Sequence, residues 1–230
     1  MENEIKLQRI DRPNLILAIT LSFIVLMGDL LYTRFAKYLL GIDLPVSYIF
    51  IPLSILYIIS LFFLTEYLKA FELKMVRLIL YTLIFVLVAQ LAINILNTYL
   101  IKEANYQLLG FTNLITTLMR LFRVLLYAVI GVNLLKFKDD FVGGLNVLAV
   151  ASFICCLTII TGIIQYYYYT LAITYTIDFS PFDNPLLILM MVITDIFPMT
   201  FTIATIYIYI RAYRHNKRVG EEQDKYISRQ

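Results

Sequence analysis

Residues 141–165 read FVGGLNVLAVASFICCLTIITGIIQ, a stretch of 25 residues that contains no charged side chain. An α-helix needs roughly 17–25 mostly apolar residues to cross the hydrocarbon layer of a bilayer, which is about 30 Å thick. Because that layer offers no water to backbone N–H and C=O groups, a crossing segment of this kind satisfies them as a helix. The stretch therefore predicts a transmembrane helix.

Five further apolar runs of similar length complete the pattern. The six predicted spans are Leu15–Leu31, Val46–Thr65, Leu78–Leu96, Thr112–Leu135, Phe141–Gln165 and Leu186–Ile210. Hydrophobic residues make up 61% of the 230 residues and charged residues 15%, against about 45–50% and 25% in soluble domains. The sequence predicts an all-α polytopic membrane protein: one membrane-embedded domain over residues 1–230, a bundle of six transmembrane helices with a basic tail at 211–230.

The distribution of Lys and Arg predicts the orientation, because these residues favour cytoplasmic loops. With six spans, the N-terminal segment, the second and fourth loops and the C-terminal tail share one side and hold 14 of the 19 Lys and Arg residues. The opposite side holds three, Arg34, Lys37 and Lys102. We expect a cell-membrane protein with both termini in the cytoplasm and a first span that stays as a signal anchor rather than being removed.

The same bias explains the formal net charge of +3, so no nucleic-acid partner is predicted. The lipid bilayer is the expected surrounding, and the basic tail is suited to anionic lipid headgroups.

Residues that commonly carry chemistry give no catalytic pattern. The adjacent Cys155 and Cys156 lie in mid-span and are interpreted as small apolar residues, since neighbouring cysteines rarely form a bridge. His215 is the single histidine, which alone makes neither a zinc site nor a haem ligand pair. No Ser–His, Cys–His or G-x-S-x-G arrangement occurs. We expect a protein that is not an enzyme and that uses no cofactor and no metal; a lipid-modifying enzyme is the least favoured alternative.

Charged and amide side chains inside three of the spans form one candidate site. Arg120 and Arg123 lie in the fourth span, Asp195 in the sixth, and Gln90 and Asn94 share one face of the third, together with Asn97. A charge in mid-membrane costs roughly 2.5–3.5 kcal/mol, so such groups usually face the bundle interior and have partners. Their depths along the predicted spans overlap in the outer half of the membrane. The sequence predicts Asp195 within salt-bridge or one-water reach of Arg120 or Arg123.

The start of the fourth span decides how deep the two arginines lie. A start near Leu121 would let both side chains reach the outer interface, whereas a start near Thr112 places them some 12–16 Å deep, at 1.5 Å per residue. Pro198 follows Asp195 by three residues and frees a backbone carbonyl in the preceding turn. A broken helix beside an ionisable residue is a common way to build a transport site.

Two functions remain open from the sequence. One is a small permease or a solute- or lipid-binding protein, in which Arg120, Arg123, Asp195, Gln90 and Asn94 bind a ligand. Two arginines against one aspartate favour an anionic solute or a lipid headgroup over a metal cation. The alternative is a non-catalytic structural or scaffold subunit of a larger membrane assembly with a protein partner, in which the same polar residues hold helices together.

Overall fold

Seven helices account for nearly all of the residues described by the computed structural model, which are 12–31, 46–69, 71, 73–102, 106–136, 144–174, 185–196 and 199–227. In chain order they are α1 (Arg12–Gly28), α2 (Val46–Lys69), α3 (Lys74–Lys102), α4 (Tyr106–Leu135), α5 (Leu145–Thr174), α6 (Pro185–Ile196) and α7 (Met199–Ile227). A π-helical turn continues α1 over residues 29–31. The described part of the chain contains no strand.

The predicted class, an all-helical membrane protein, is confirmed. Among the described residues, five helical segments are long and apolar enough to cross a membrane: Asn14–Leu31, Ile51–Lys69, Lys74–Leu100, Gln107–Leu135 and Leu145–Tyr168. They correspond to the first five predicted spans. The six-span architecture fits the structure once α6 and the first part of α7 are taken together as the sixth span.

The sixth predicted span, Leu186–Ile210, coincides with α6 and the first part of α7, and residues 197–198 between them lie outside the described residues. Helix α7 continues through the basic tail to Ile227. Proline cannot donate a backbone hydrogen bond and clashes with the preceding turn. The sequence Phe197-Pro198 at the junction is the physical reason for expecting two helices there.

Several other helices extend beyond their predicted spans, and two of these extensions, in α3 and α4, affect the candidate site. Helix α3 continues past Leu96 to Lys102, and helix α4 begins at Tyr106 rather than at Thr112 or Leu121. Polar residues such as Asn97, Thr98 and Gln107 lie in these extensions, which explains why a prediction from apolar runs omits them. The consequence is that Gln90 and Arg123 lie close to the middle of their helices.

The helices pack as a closed ring. Helices α1 to α5 each contact the next one along the chain, α7 contacts both α5 and α1, and α6 packs against α5. Helix α2 also reaches across the ring, because the Tyr209 hydroxyl of α7 donates to the Ser60 carbonyl oxygen at 3.3 Å. The Ser22 and Ser60 hydroxyls, 2.6 Å apart, join α1 to α2.

The two ends of the bundle have different interiors. We call them the Lys69 end, where α2 ends and α3 begins, and the Lys102 end, where α3 ends and α4 begins. In each of α1 to α5, every residue of the main hydrophobic core lies in the half of the helix nearer the Lys69 end. The candidate site lies where this apolar core stops.

Candidate ligand-binding site

Helix α4 directs Arg123 towards the bundle interior. Exposed apolar residues recur along one face of α4 at spacings of three or four: Leu114, Leu118, Leu121, Leu125, Val129 and Val132. The opposite face carries the buried residues Thr112, Thr116, Tyr127, Ile130 and Leu134. Arg123 lies four residues from Tyr127 and is half-buried, so it shares the interior face. The lipid-facing surface of α4 is therefore apolar and its polar stripe is turned inward.

Gln90 of helix α3 binds the guanidinium. The Arg123 Nη1 donates a hydrogen bond of 2.8 Å to the Gln90 side-chain oxygen Oε1, and the Gln90 side chain is 9% exposed. Glutamine is a neutral acceptor, so this bond orients the guanidinium without cancelling its charge. The Arg123 Nε is buried and has no hydrogen-bond acceptor among the described residues.

Two tyrosines lie on the Lys69 side of this pair. The Tyr57 hydroxyl of α2 and the Tyr127 hydroxyl of α4 are 3.1 Å apart. Tyr127 also lies within hydrogen-bonding reach of Arg123, and Tyr57 interacts with Arg123 electrostatically. The Tyr127 ring contacts the Phe201 ring of α7 edge-on, with centroids 5.3 Å apart. These aromatic side chains thus form a layer between Arg123 and the rest of the apolar core. We call Tyr57, Tyr127 and Phe201 the aromatic floor.

A second set of polar contacts joins α3 to α4 nearer the Lys102 end. The Asn97 Nδ2 donates to the Asn113 Oδ1 at 3.4 Å, and the Thr112 hydroxyl donates to the Asn97 Oδ1. Thr116 and Thr117 lie between these contacts and Arg123, and each hydroxyl donates to the carbonyl four residues earlier in its own helix. Several polar side chains of both helices therefore lie between Arg123 and the Lys102 end, together with the buried Leu100.

The structure brings some predicted site residues together and leaves others apart. Gln90 and Arg123 are hydrogen-bonded to each other. This agrees with the expectation that each residue lies on the interior face of its helix. Arg120 is half-buried and lies within electrostatic range of Arg123. Asn94 is half-buried on the same α3 face, and its side chain bonds to no other described side chain.

The predicted contact between Asp195 and the arginines lies outside the described side chains. The backbone of Asp195 is helical, close to the end of α6, and its proximity to Arg120 or Arg123 stays a prediction. The residues described give the site one amide acceptor and two tyrosine hydroxyls. Among them, no three His, Cys, Asp or Glu side chains lie together as a metal-ligand group.

Tyr57 and Cys155 belong to the site although the sequence reading did not select them. Cys155 of α5 lies within electrostatic range of Arg123 and interacts with Thr200 at the start of α7. Tyr57 lies three residues before the buried Ser60, and four before the buried Leu61, on one face of α2. The spacing of three residues between Tyr57 and Ser60 is visible in the sequence and places two polar groups on one helix face, so it could have identified Tyr57 as an interior residue.

Comparisons with known proteins add no functional assignment, since no family model, no curated protein and no solved structure matches the chain.

Proposed function

We propose that this protein is a small permease, or a solute-binding membrane protein, that takes an anionic solute at Arg123. The observation that carries the proposal is the hydrogen bond of Arg123 to the neutral Gln90 near the middle of both helices. A charge at that depth costs roughly 2.5–3.5 kcal/mol on insertion scales. An amide partner offsets part of this cost, and an anion offsets it more fully, because it also neutralises the charge.

The asymmetry of the interior supports access from one side. Between Arg123 and the Lys102 end, the inward faces of α3 and α4 carry amides, hydroxyls and a second arginine: Asn94, Asn97, Thr112, Asn113, Thr116, Thr117 and Arg120. On the other side of Arg123 the interior is the apolar core. The Lys102 end is the outer end in the orientation that the Lys and Arg distribution predicts.

Pro198, which is expected to interrupt a helix in the sixth predicted span, supports the same function. Discontinuous helices near the membrane midplane occur in many transporters, where their ends contact solute or ions. Here the junction of α6 and α7 adjoins Phe201, which contacts Tyr127, and Thr200, which interacts with Cys155. The start of α7 therefore lies beside the aromatic floor of the site.

The scaffold function remains the second candidate, and specific contacts favour it. Thr116 and Thr117 satisfy their hydroxyls within their own helix, and amide pairs such as Asn97 and Asn113 hold membrane helices together without any ligand. A scaffold needs no water between the Lys102 end and Arg123, whereas a solute site does.

Cysteine labelling separates the two functions. In a variant with both natural cysteines changed to alanine, Asn94→Cys and Thr117→Cys should react with a charged, membrane-impermeant thiol reagent added from outside. Leu118→Cys is the matched control: Leu118 is more exposed, at 57%, but lies on the apolar face, where lipid excludes water. If Asn94→Cys and Thr117→Cys are as unreactive as Leu118→Cys, the solute site is refuted and the scaffold function is favoured.

A further inference from the structure

In the guanidinium of Arg123, one nitrogen is bonded to Gln90 and another, Nε, has no acceptor among the described residues. A guanidinium is a planar fork of five N–H donors, and the Nε–H and one Nη N–H point the same way along one edge. Nη1 is bonded to Gln90. The Nε on the other side is buried without an acceptor among the described residues. A buried charged donor without an acceptor costs free energy, and native structures rarely contain one.

The chemistry of that edge selects the ligand class. Two parallel N–H donors match the two oxygens of a carboxylate, which guanidinium groups bind in bidentate fashion. A spherical halide cannot accept along two parallel directions. Phosphate also binds arginine, but it carries a charge of about −1.5 to −2 in its monoester form and more acceptor oxygens than one edge serves. The Tyr127 hydroxyl lies within hydrogen-bonding reach of the Arg123 guanidinium, which can only donate to it, and the Tyr57 hydroxyl is 3.1 Å from the Tyr127 hydroxyl.

From this geometry we infer that the solute bound at Arg123 carries a carboxylate, which accepts from the Nε and Nη2 edge while Gln90 holds Nη1. This inference rests on the proposed function and names its substrate class. Gln90 is a positioning residue, because it touches the guanidinium and fixes which edge is presented. Side chains that cover the Nε move when the ligand binds, since this atom is buried in the structure.

Binding of simple anions to the purified protein tests the inference. Acetate, benzoate and succinate are compared with inorganic phosphate and chloride, as sodium salts at equal ionic strength, by the shift in thermal unfolding temperature. At least one carboxylate should raise the unfolding temperature, with phosphate and chloride giving no shift. In Arg123→Lys the apparent affinity should fall about tenfold or more, because lysine cannot make the bidentate contact and loses a hydrogen bond to a charged group.

Arg77→Lys is the matched control. Arg77 also has a buried Nε without an acceptor, but it lies at the start of α3, where its Nη2 is 3.9 Å from the Glu66 carboxylate. Carboxylate affinity should be unchanged in this variant. Equal loss in both arginine variants would show a general charge effect and would overturn the inference.

The remaining outcomes are also decisive. If phosphate or chloride raises the unfolding temperature and no carboxylate does, the ligand is not a carboxylate and the site binds another anion. No shift with any probe, while Asn94→Cys and Thr117→Cys still react from outside, refutes the carboxylate and leaves a water-accessible interior. A loss of stability in Asp195→Asn that added acetate reverses would assign the edge to the carboxylate of Asp195 and overturn the solute ligand.

Discussion

At the scale of single residues, the contact between Arg123 and Gln90 is the one on which the functional argument depends. An arginine paired with a carboxylate is largely neutralised, whereas an arginine paired with an amide keeps its charge. Gln90 is almost fully buried, so its amide oxygen has few alternatives to Arg123. The bond therefore stabilises the protein, and it leaves the positive charge of Arg123 available to an anion.

Replacing Gln90 by leucine should destabilise the protein by about 1–3 kcal/mol, because Arg123 Nη1 would then be buried without an acceptor. Thermal unfolding of the purified protein in detergent measures the change. Asn94→Leu is the control on the same face of α3, and it should cost less, since the Asn94 side chain bonds to no other described side chain. Gln90→Leu with unchanged stability would show that the hydrogen bond contributes little.

At the scale of helices, the packing of α4 depends on a polar stripe that contacts α3 and on a small residue, Gly131, that faces α5. Its polar stripe meets α3, through Arg123 and Asn113, while α5 packs close to Gly131. A Cβ built on Gly131 would lie 2.8 Å from the Phe153 ring of α5. Small residues at such positions let membrane helices approach closely, which matters where lipid offers no hydrophobic drive for helix association.

Gly131→Val should therefore destabilise the packing of α4 against α5 by about 1–3 kcal/mol, the usual cost of overpacking. Gly110 of the same helix is the matched control, because a Cβ there would meet nothing within 4 Å. Gly110→Ala should be neutral or stabilising by up to about 1 kcal/mol, as expected from helix propensity. Chemical or thermal unfolding in detergent compares the two, and equal effects would refute the close α4–α5 contact.

At the scale of the whole molecule, the main hydrophobic core occupies the half of the bundle towards the Lys69 end, whereas α3 and α4 carry several amides and hydroxyls in the other half. In the apolar half, towards the Lys69 end, Tyr67 and Tyr209 contact edge-on with ring centroids 5.8 Å apart, and Tyr209 also bonds to Ser60. This packing closes the interior on that side. A solute that reaches Arg123 in this conformation comes from the Lys102 end, so transport would require the aromatic floor to open.

The orientation of the bundle gives a further prediction: both termini should lie in the cytoplasm, because 14 of the 19 Lys and Arg residues fall on that side. In the cysteine-free variant, Lys217→Cys in the tail should be protected from an impermeant thiol reagent in intact cells and should react after permeabilisation. Asp178→Cys in the fifth loop is the control, which should react without permeabilisation. Labelling of the tail position from outside would reverse the topology.

The sequence was sufficient for the membrane class and for the faces of α3 and α4. Six apolar runs could be recognised because a bilayer fixes the length and the composition of each crossing segment. The placement of Gln90 and Arg123 on interior faces followed from helical periodicity, since a membrane helix turns its polar stripe away from lipid. Both rules act within one segment, so neither requires knowledge of the neighbouring helices.

The pairing of side chains was decided by the tertiary structure. The sequence predicts Asp195 near Arg120 or Arg123 from charge and depth along the chain, and this contact stays a prediction because the Asp195 side chain lies outside the described residues. The structure shows Gln90 bonded to Arg123 and Tyr57 beside Tyr127. Which side chains meet depends on the rotation and register of each helix against its neighbours. Those are set by packing across the whole bundle, and no single segment of the sequence contains them.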